Sequence, residues 1–130
     1  MLTGYSPKLP LTIDANDGFC KLNKTIAEVM KQNVMMIVMT VPGERIMDPD
    51  FGVGARNFLF SQEQIAFQNL KSKIFEQVSK YLPMVQIQQI SLVNDVPIGE
   101  IADSHQIGIN IVYDVPSLGI TENMDIITST

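Results

Sequence analysis

The chain has 130 residues, of which 45% are hydrophobic, and this size suits one compact core of ordinary dimensions. Fourteen acidic residues against nine basic ones give a formal net charge of −5. That sign is wrong for a groove that must neutralise phosphates, so the composition disfavours direct binding of nucleic acid.

A single cysteine, Cys20, and a single histidine, His105, restrict the redox and metal chemistry. One cysteine forms no disulfide within the chain, and this pair cannot supply the ligands of a zinc site. We interpret Cys20 as a small buried apolar residue. The longest apolar run, 34–39, is far shorter than the roughly 20 residues of a membrane span, and 1–10 lack a signal-peptide pattern. We therefore expect no cofactor, metal or membrane partner and a protein kept in a reducing cytoplasm.

Turn-forming residues dominate the N-terminal 18 residues, which include Gly4, Pro7, Pro10 and the cluster 14–18. This pattern predicts an extended N-terminal arm over 1–18, followed by a single domain over 19–130.

Apolar residues at three- and four-residue steps predict two long helices. In the first helix Thr25 and Glu28 suit a capping box, and Pro42 and Gly43 follow its end. Its apolar positions are Ile26, Val29, Met30, Val34, Ile37 and Val38. A short helical turn is predicted over 53–60. Ser61 and Gln64 open the second helix, whose buried face would be Phe67, Leu70, Ile74, Val78 and Tyr81 before Pro83.

Alternating apolar residues after Pro83 predict strands. The first, 85–92, changes phase at Gln88 and Gln89, which indicates a β-bulge. The second has one strongly apolar face, formed by Ile107, Ile109, Ile111, Tyr113 and Val115. A third candidate, 124–128, follows turn signals at 116–119. Helices followed by strands predict an α+β fold, with two long helices packed on one face of a small, mainly antiparallel sheet.

The segment between the helices carries the most specific pattern. It reads TVPGERIMDPDFG from Thr40 and continues to Leu59 and Phe60. This segment resembles the baseplate wedge and sheath initiator family of contractile phage tails, R-type pyocins and type VI secretion systems. The matching motif loop residues are Thr40, Gly43, Glu44, Arg45, Met47, Pro49, Phe51 and Gly52, with Leu59 and Phe60 after them. The resemblance extends over roughly 18–128.

Physical reasons for the motif residues do not depend on the family. Gly43 permits a chain reversal, Gly52 a second bend, and Phe51 can anchor the loop in the core. Glu44 and Arg45 have two open interpretations. They tie the loop to the sheet through ion pairs and backbone hydrogen bonds, or they present charges to a partner.

The chain departs from the family at one element. Members often carry Glu-Pro-Arg after the second long helix, where the resemblance implies contacts with the helical bundle of the wedge. Here the residues are Leu82, Pro83 and Met84, which predict an apolar docking contact. The candidate partner-binding residues are Glu44 and Arg45 of the motif loop, Leu82, Pro83 and Met84, and Met124, Ile126 and Thr128 of the last strand.

The resemblance implies a structural subunit of a virion tail baseplate, or of the cytoplasmic side of a secretion machine, and not an enzyme. Six copies would surround the tail tube or tube initiator, contact wedge subunits and nucleate the sheath protein. The expected joint is an extended sheath arm added to the edge of the sheet. Phage, pyocin and secretion system remain alternatives.

Two other functions remain open. A peptidoglycan-cleaving glycoside hydrolase needs two carboxylates facing each other across a cleft. The available acids are Glu44, Asp48, Asp50, Glu63, Glu76, Asp95, Glu100 and Asp103, and we interpret them as solvated or structural. We likewise expect no catalytic role for His105. A free-standing adaptor that binds peptides at a sheet edge is the other alternative.

Overall fold

The computed structural model describes residues 4–60, 63–93 and 106–129. Its elements in chain order are β1 (Ser6–Pro7), β2 (Leu22–Asn23), α1 (Ile26–Met39), a 3₁₀ helix (Ala55–Phe60), α2 (Glu63–Tyr81), β3 (Gln86–Val93), β4 (Gln106–Val115) and β5 (Ile120–Ser129). The chain forms two compact units, Met1–Met35 and Met36–Thr130, and the boundary between them falls within α1. The predicted α+β class, with two helices and antiparallel strands, is confirmed.

The first unit contains a short antiparallel pair of strands, β1 and β2, which hydrogen bonds join to Gln32 of α1. The buried Asn23 amide donates to Ser6 Oγ at 3.1 Å and to Gln32 Oε1 at 2.9 Å. Gln32 in turn accepts from the backbone of Leu9 at 3.0 Å and donates to the carbonyl of Pro7 at 3.1 Å. A buried amide loses little by burial when it is paired in this way. These bonds position residues 6–9 along the helix.

The start of α1 agrees with the sequence prediction. Glu28 N donates to Thr25 Oγ1 at 3.3 Å, and the Glu28 carboxylate accepts from the backbone of Thr25 at 3.3 Å. The same carboxylate accepts from Lys24 N at 2.9 Å. Backbone bonds to the carboxylate hold the pKa of Glu28 below its usual value. The predicted capping box is confirmed. Cys20, which we expected to be buried, is half-buried.

The second unit is built on a three-stranded antiparallel sheet in the order β3, β4, β5. The register of β3 on β4 shifts between Ile87 and Gln89, which confirms the predicted bulge. Residues of β4 alternate in burial, as predicted, and the buried side chains are those of Ile109, Ile111, Tyr113 and Val115. The side chain of Ile107 lies outside the described residues. The core of this unit therefore lies on one face of the sheet.

The last strand begins earlier than predicted. β5 covers Ile120–Ser129, whereas the sequence indicated only 124–128. The turn before it agrees with the prediction, because Leu118 N donates to the carbonyl of Val115 at 3.0 Å and Gly119 has a φ of 63°. The polar residues Glu122 and Asn123 obscured the first half of the strand, but pairing with β4 overrides their weak strand preference.

The second helix contacts the 3₁₀ helix and β3. Three of the five residues predicted on its buried face, Leu70, Ile74 and Val78, are at most 4% exposed, whereas Phe67 and Tyr81 are half-buried. Ser61 lies outside the described residues, and so does the side chain of Gln64, so their predicted cap stays a prediction.

Candidate functional site

The motif loop begins where α1 ends and is held by its own backbone. The Thr40 hydroxyl donates to the carbonyl of Met36 at 2.5 Å, and Gly54 N donates to the carbonyl of Thr40 at 2.9 Å. Gly52 lies against the same carbonyl with a φ of 105°, so close that a Cβ there would be 2.2 Å from Thr40 O. This position therefore requires glycine for both backbone conformation and space.

A second set of bonds closes the loop between Val41 and Pro49. Gly43 N donates to the carbonyl of Pro49 at 2.8 Å, and Gly43 has a φ of 89°. The Glu44 carboxylate accepts from Val41 N at 3.1 Å. Phe51 N donates to the carbonyl of Asp48 at 3.2 Å. Glu44 thus stabilises the loop to which it belongs.

Aromatic contacts brace the loop on the last turn of α2. The Arg45 guanidinium carbon lies 3.8 Å from the centre of the Phe51 ring, which is a cation–π contact. The Phe51 ring meets Tyr81 edge-to-face, with ring centres 4.8 Å apart. Lys80 Nζ lies 5.0 Å from the centre of the Tyr81 ring. Phe51 is only 8% exposed, so it anchors the loop in the core as the sequence suggested. Within the described ranges Arg45 makes no ion pair.

A buried polar side chain of α2, which the sequence analysis missed, also binds the motif loop. Gln77 is 5% exposed, and its Oε1 accepts from Gly52 N at 3.0 Å. It lies three residues after Ile74 and next to Val78, which places it on the buried side of α2. A polar residue within an apolar helical face was the available signal. Gln77 therefore fixes the position of the loop relative to the helix.

The tip of the loop is apolar and fully open to solvent. Ile46 is 95% exposed and Met47 is 96% exposed, although Met47 is one of the motif residues. Pro49 is also exposed. Neither Ile46 nor Met47 contributes to the core that the rest of the loop helps to form.

Two tyrosine hydroxyls of the second unit are buried, and each has a carboxylate in its surroundings. Tyr81 Oη and Tyr113 Oη are buried without a hydrogen-bond partner among the described residues. Burial raises the pKa of Tyr113 to about 12, with Glu122 adding to the shift. Burial also raises the pKa of Tyr81, and the carboxylate of Asp48 acts in the same direction. Both hydroxyls stay protonated at neutral pH and act as structural groups.

The segment after α2 exposes apolar surface. Leu82 is half-buried, whereas Pro83 is exposed and Met84 is 47% exposed. Val85 N donates to the carbonyl of Leu82 at 3.0 Å, which makes a tight turn into β3. The docking role of these three residues stays a prediction.

The predicted contact residues of the last strand face the core where their side chains are described. Met124 is 1% exposed and Ile126 is 4% exposed. The side chain of Thr128 lies outside the described residues, but its backbone pairs with Ile107. On the other face Asp125 is exposed and accepts from Asn110 Nδ2 at 2.5 Å. In the part of the chain that the structure describes, β5 pairs on one side only.

The carboxylates weighed for hydrolysis have mostly structural surroundings where they are described. Glu44 caps its own loop, Asp48 lies near Tyr81, and Asp50 is exposed. Asp95, Glu100 and Asp103 lie outside the described residues, and so does the side chain of Glu63. The single histidine, His105, also lies outside them. Across 4–60, 63–93 and 106–129 no cluster of three or more His, Cys, Asp or Glu could hold a metal. No helix in those ranges is long and apolar enough to cross a membrane.

Comparison with known proteins shows where this architecture recurs. The family described as baseplate wedge protein gp25 matches residues 24–117. A crystal structure from Geobacter sulfurreducens, described as a candidate tail lysozyme, has 21% identity and a TM-score of 0.67, over 84% of this chain and 95% of that one. A chain of the anti-feeding prophage baseplate, solved by cryo-electron microscopy with sixfold symmetry, has 21% identity and a TM-score of 0.63, over 82% and 81%. No curated protein matches the chain.

Proposed function

The chain belongs to the baseplate wedge protein gp25 family, a structural component of contractile injection systems, and we propose that within the baseplate it is the subunit that starts the sheath. The observation that carries this proposal is β5, a ten-residue strand whose outer edge is free in the described structure. Such an edge offers a row of backbone donors and acceptors to an incoming strand. A sheath arm added there would set the position of the first sheath ring.

The last strand suits this joint better than the other edge of the sheet. β3 has eight residues and carries the bulge between Ile87 and Gln89, and bulges interrupt pairing and discourage strand addition. β5 pairs with β4 without a shift from Gln106↔Ser129 to Val115↔Ile120. Its inner side chains, including Met124 and Ile126, are already buried, which keeps the strand in place while its outer edge accepts a partner.

Other surfaces would hold the subunit in the wedge. The apolar segment Leu82, Pro83 and Met84, whose last two residues are exposed, would contact wedge subunits, as the sequence predicted. The same proposal includes six copies of the subunit around the tail tube or tube initiator. It also includes an extended arm over 1–18 and two helices packed on one face of the sheet. One chain of the sixfold-symmetrised anti-feeding prophage baseplate has the fold of this chain, which supports that copy number.

The role we propose is not enzymatic. The described acids of the motif loop lie at its hydrogen-bonded base or on its exposed surface, and retaining or inverting hydrolysis needs two carboxylates across a cleft. Purified protein should therefore release no more fragments from peptidoglycan than buffer does. Release that a single Asp or Glu substitution abolishes would contradict this part of the proposal.

A proline in β5 tests the joint. Ile126 is unsuitable, because it is buried and its loss would also damage the core. Asp125→Pro changes an exposed position, removes one backbone N–H and fixes φ. Asp125→Ala is the matched control, since it removes the same carboxylate and keeps the backbone donor. Thermal melting would establish that both variants fold.

We expect baseplates with Asp125→Pro to carry few sheaths by electron microscopy, and those with Asp125→Ala to carry normal ones. Gln88→Pro provides a control on the opposite edge, since Gln88 is exposed and lies at the bulge. Normal sheaths with Asp125→Pro would show that the sheath docks elsewhere.

A further inference from the structure

The exposed tip of the motif loop has no role within the described fold. Ile46 and Met47 are 95% and 96% exposed, and they lie between the hydrogen bonds that close the loop. A tight solvent-facing loop is ordinarily built from Gly, Asn, Asp or Ser. Adjacent large apolar side chains at such a tip are costly to leave in water, and they gain most from burial against another surface.

The loop is also rigid enough to present these side chains to a partner. The bond from Gly43 N to Pro49 O closes it at 2.8 Å, and Phe51 anchors it under Arg45 and against Tyr81. A segment already held in one conformation loses little freedom on binding, which favours affinity.

Charges around the tip indicate what surrounds the matching pocket. Glu44, Asp48 and Asp50 provide three carboxylates within 44–50, against the single basic residue Arg45. The guanidinium of Arg45 lies on the Phe51 ring, and Lys80 Nζ lies on the Tyr81 ring. Tyr81 and, more weakly, the charges of Asp50 and Asp48 raise the pKa of Lys80, so this lysine lies close to the acids of the loop. Lys80 offsets part of this charge, but the three carboxylates still outnumber the two cations, which fits a partner surface with basic residues around an apolar centre.

We propose that Ile46 and Met47 insert into an apolar pocket with a basic rim on another protein subunit of the baseplate. This inference rests on the proposed place of the chain in a baseplate, but it concerns a surface separate from the sheet edge. The pocket takes the two side chains, and lysine or arginine residues at its rim face Asp50 and Glu44. Binding should consequently weaken as the salt concentration rises.

Co-purification with the other baseplate subunits tests the tip. Ile46→Ser with Met47→Ser removes the apolar surface and leaves the loop-closing bonds untouched. Ile65→Ser is the matched control, since Ile65 is 66% exposed on α2. We expect the double variant to melt like the wild type but to bind the baseplate subunits about 100-fold more weakly, because two large side chains are lost from the contact. The control should bind normally.

Two further variants identify the occupant. Asp50→Lys should weaken binding by roughly tenfold if the rim is basic. A photoreactive residue in place of Met47 should crosslink to a different baseplate protein, at a peptide with apolar and basic residues. Unchanged binding by the double variant, tighter binding by Asp50→Lys, or a crosslink to a second copy of this chain would each overturn the inference. A wild-type protein that enters no baseplate would instead refute the proposed function.

Discussion

Replacing Gly52 by alanine should destabilise the protein far more than the same change at Gly43. Both glycines have positive φ, 105° and 89°, so each alanine incurs backbone strain of about 1–2 kcal/mol. At Gly43 nothing lies within 4 Å of the new Cβ, and strain is the whole cost. At Gly52 the Cβ would lie 2.2 Å from Thr40 O, which is backbone and cannot swing away.

The additional cost at Gly52 follows from what must move. Displacing the backbone in a packed region costs roughly 1–3 kcal/mol, and weakening the bond from Gly52 N to Gln77 costs about 1 kcal/mol. We therefore expect Gly52→Ala to lower the free energy of unfolding by about 4 kcal/mol and Gly43→Ala by about 1–2 kcal/mol. Urea unfolding followed by circular dichroism measures both. Equal losses at the two positions would refute the close approach to Thr40.

Three further predictions use other parts of the second unit. Phe51→Ala should destabilise by about 3–5 kcal/mol, because a buried ring is lost; an unchanged melting temperature would show that Phe51 does not anchor the loop. Gln77→Leu should cost roughly 1–3 kcal/mol in urea unfolding by leaving Gly52 N–H unpaired, and no loss would mean that water replaces the side chain. The pKa of Tyr113 is raised to about 12 from 10.0, so the stability it contributes is complete below pH 10 and is lost as the pH rises towards 12. Melting temperatures across that range should fall less in Tyr113→Phe than in the wild type, and parallel curves would contradict the assignment.

Local patterns in the sequence predicted much of the fold. The capping box of Thr25 and Glu28, the bulge beside Gln89 and the apolar face of β4 each depend on residues close together in the chain. Such features follow from side-chain periodicity and capping chemistry alone.

Contacts between residues far apart in the chain could not be predicted from the sequence. The bond from Gly52 to Gln77 spans 25 positions, and the packing of Arg45 on Phe51 depends on the path of the loop. Pairing with β4 carries β5 through Glu122 and Asn123, whose own strand preference is weak. The motif also identified Met47 without revealing that its side chain is exposed.

The most direct measurement is the structure of an assembled baseplate containing this chain, solved by cryo-electron microscopy with its first sheath ring attached. We expect a fourth strand, contributed by a sheath subunit, hydrogen-bonded along the outer edge of Ile120–Ser129. A sheath that contacts only other parts of the subunit, with that edge left open or covered by a wedge protein, would contradict the claim that this strand starts the sheath.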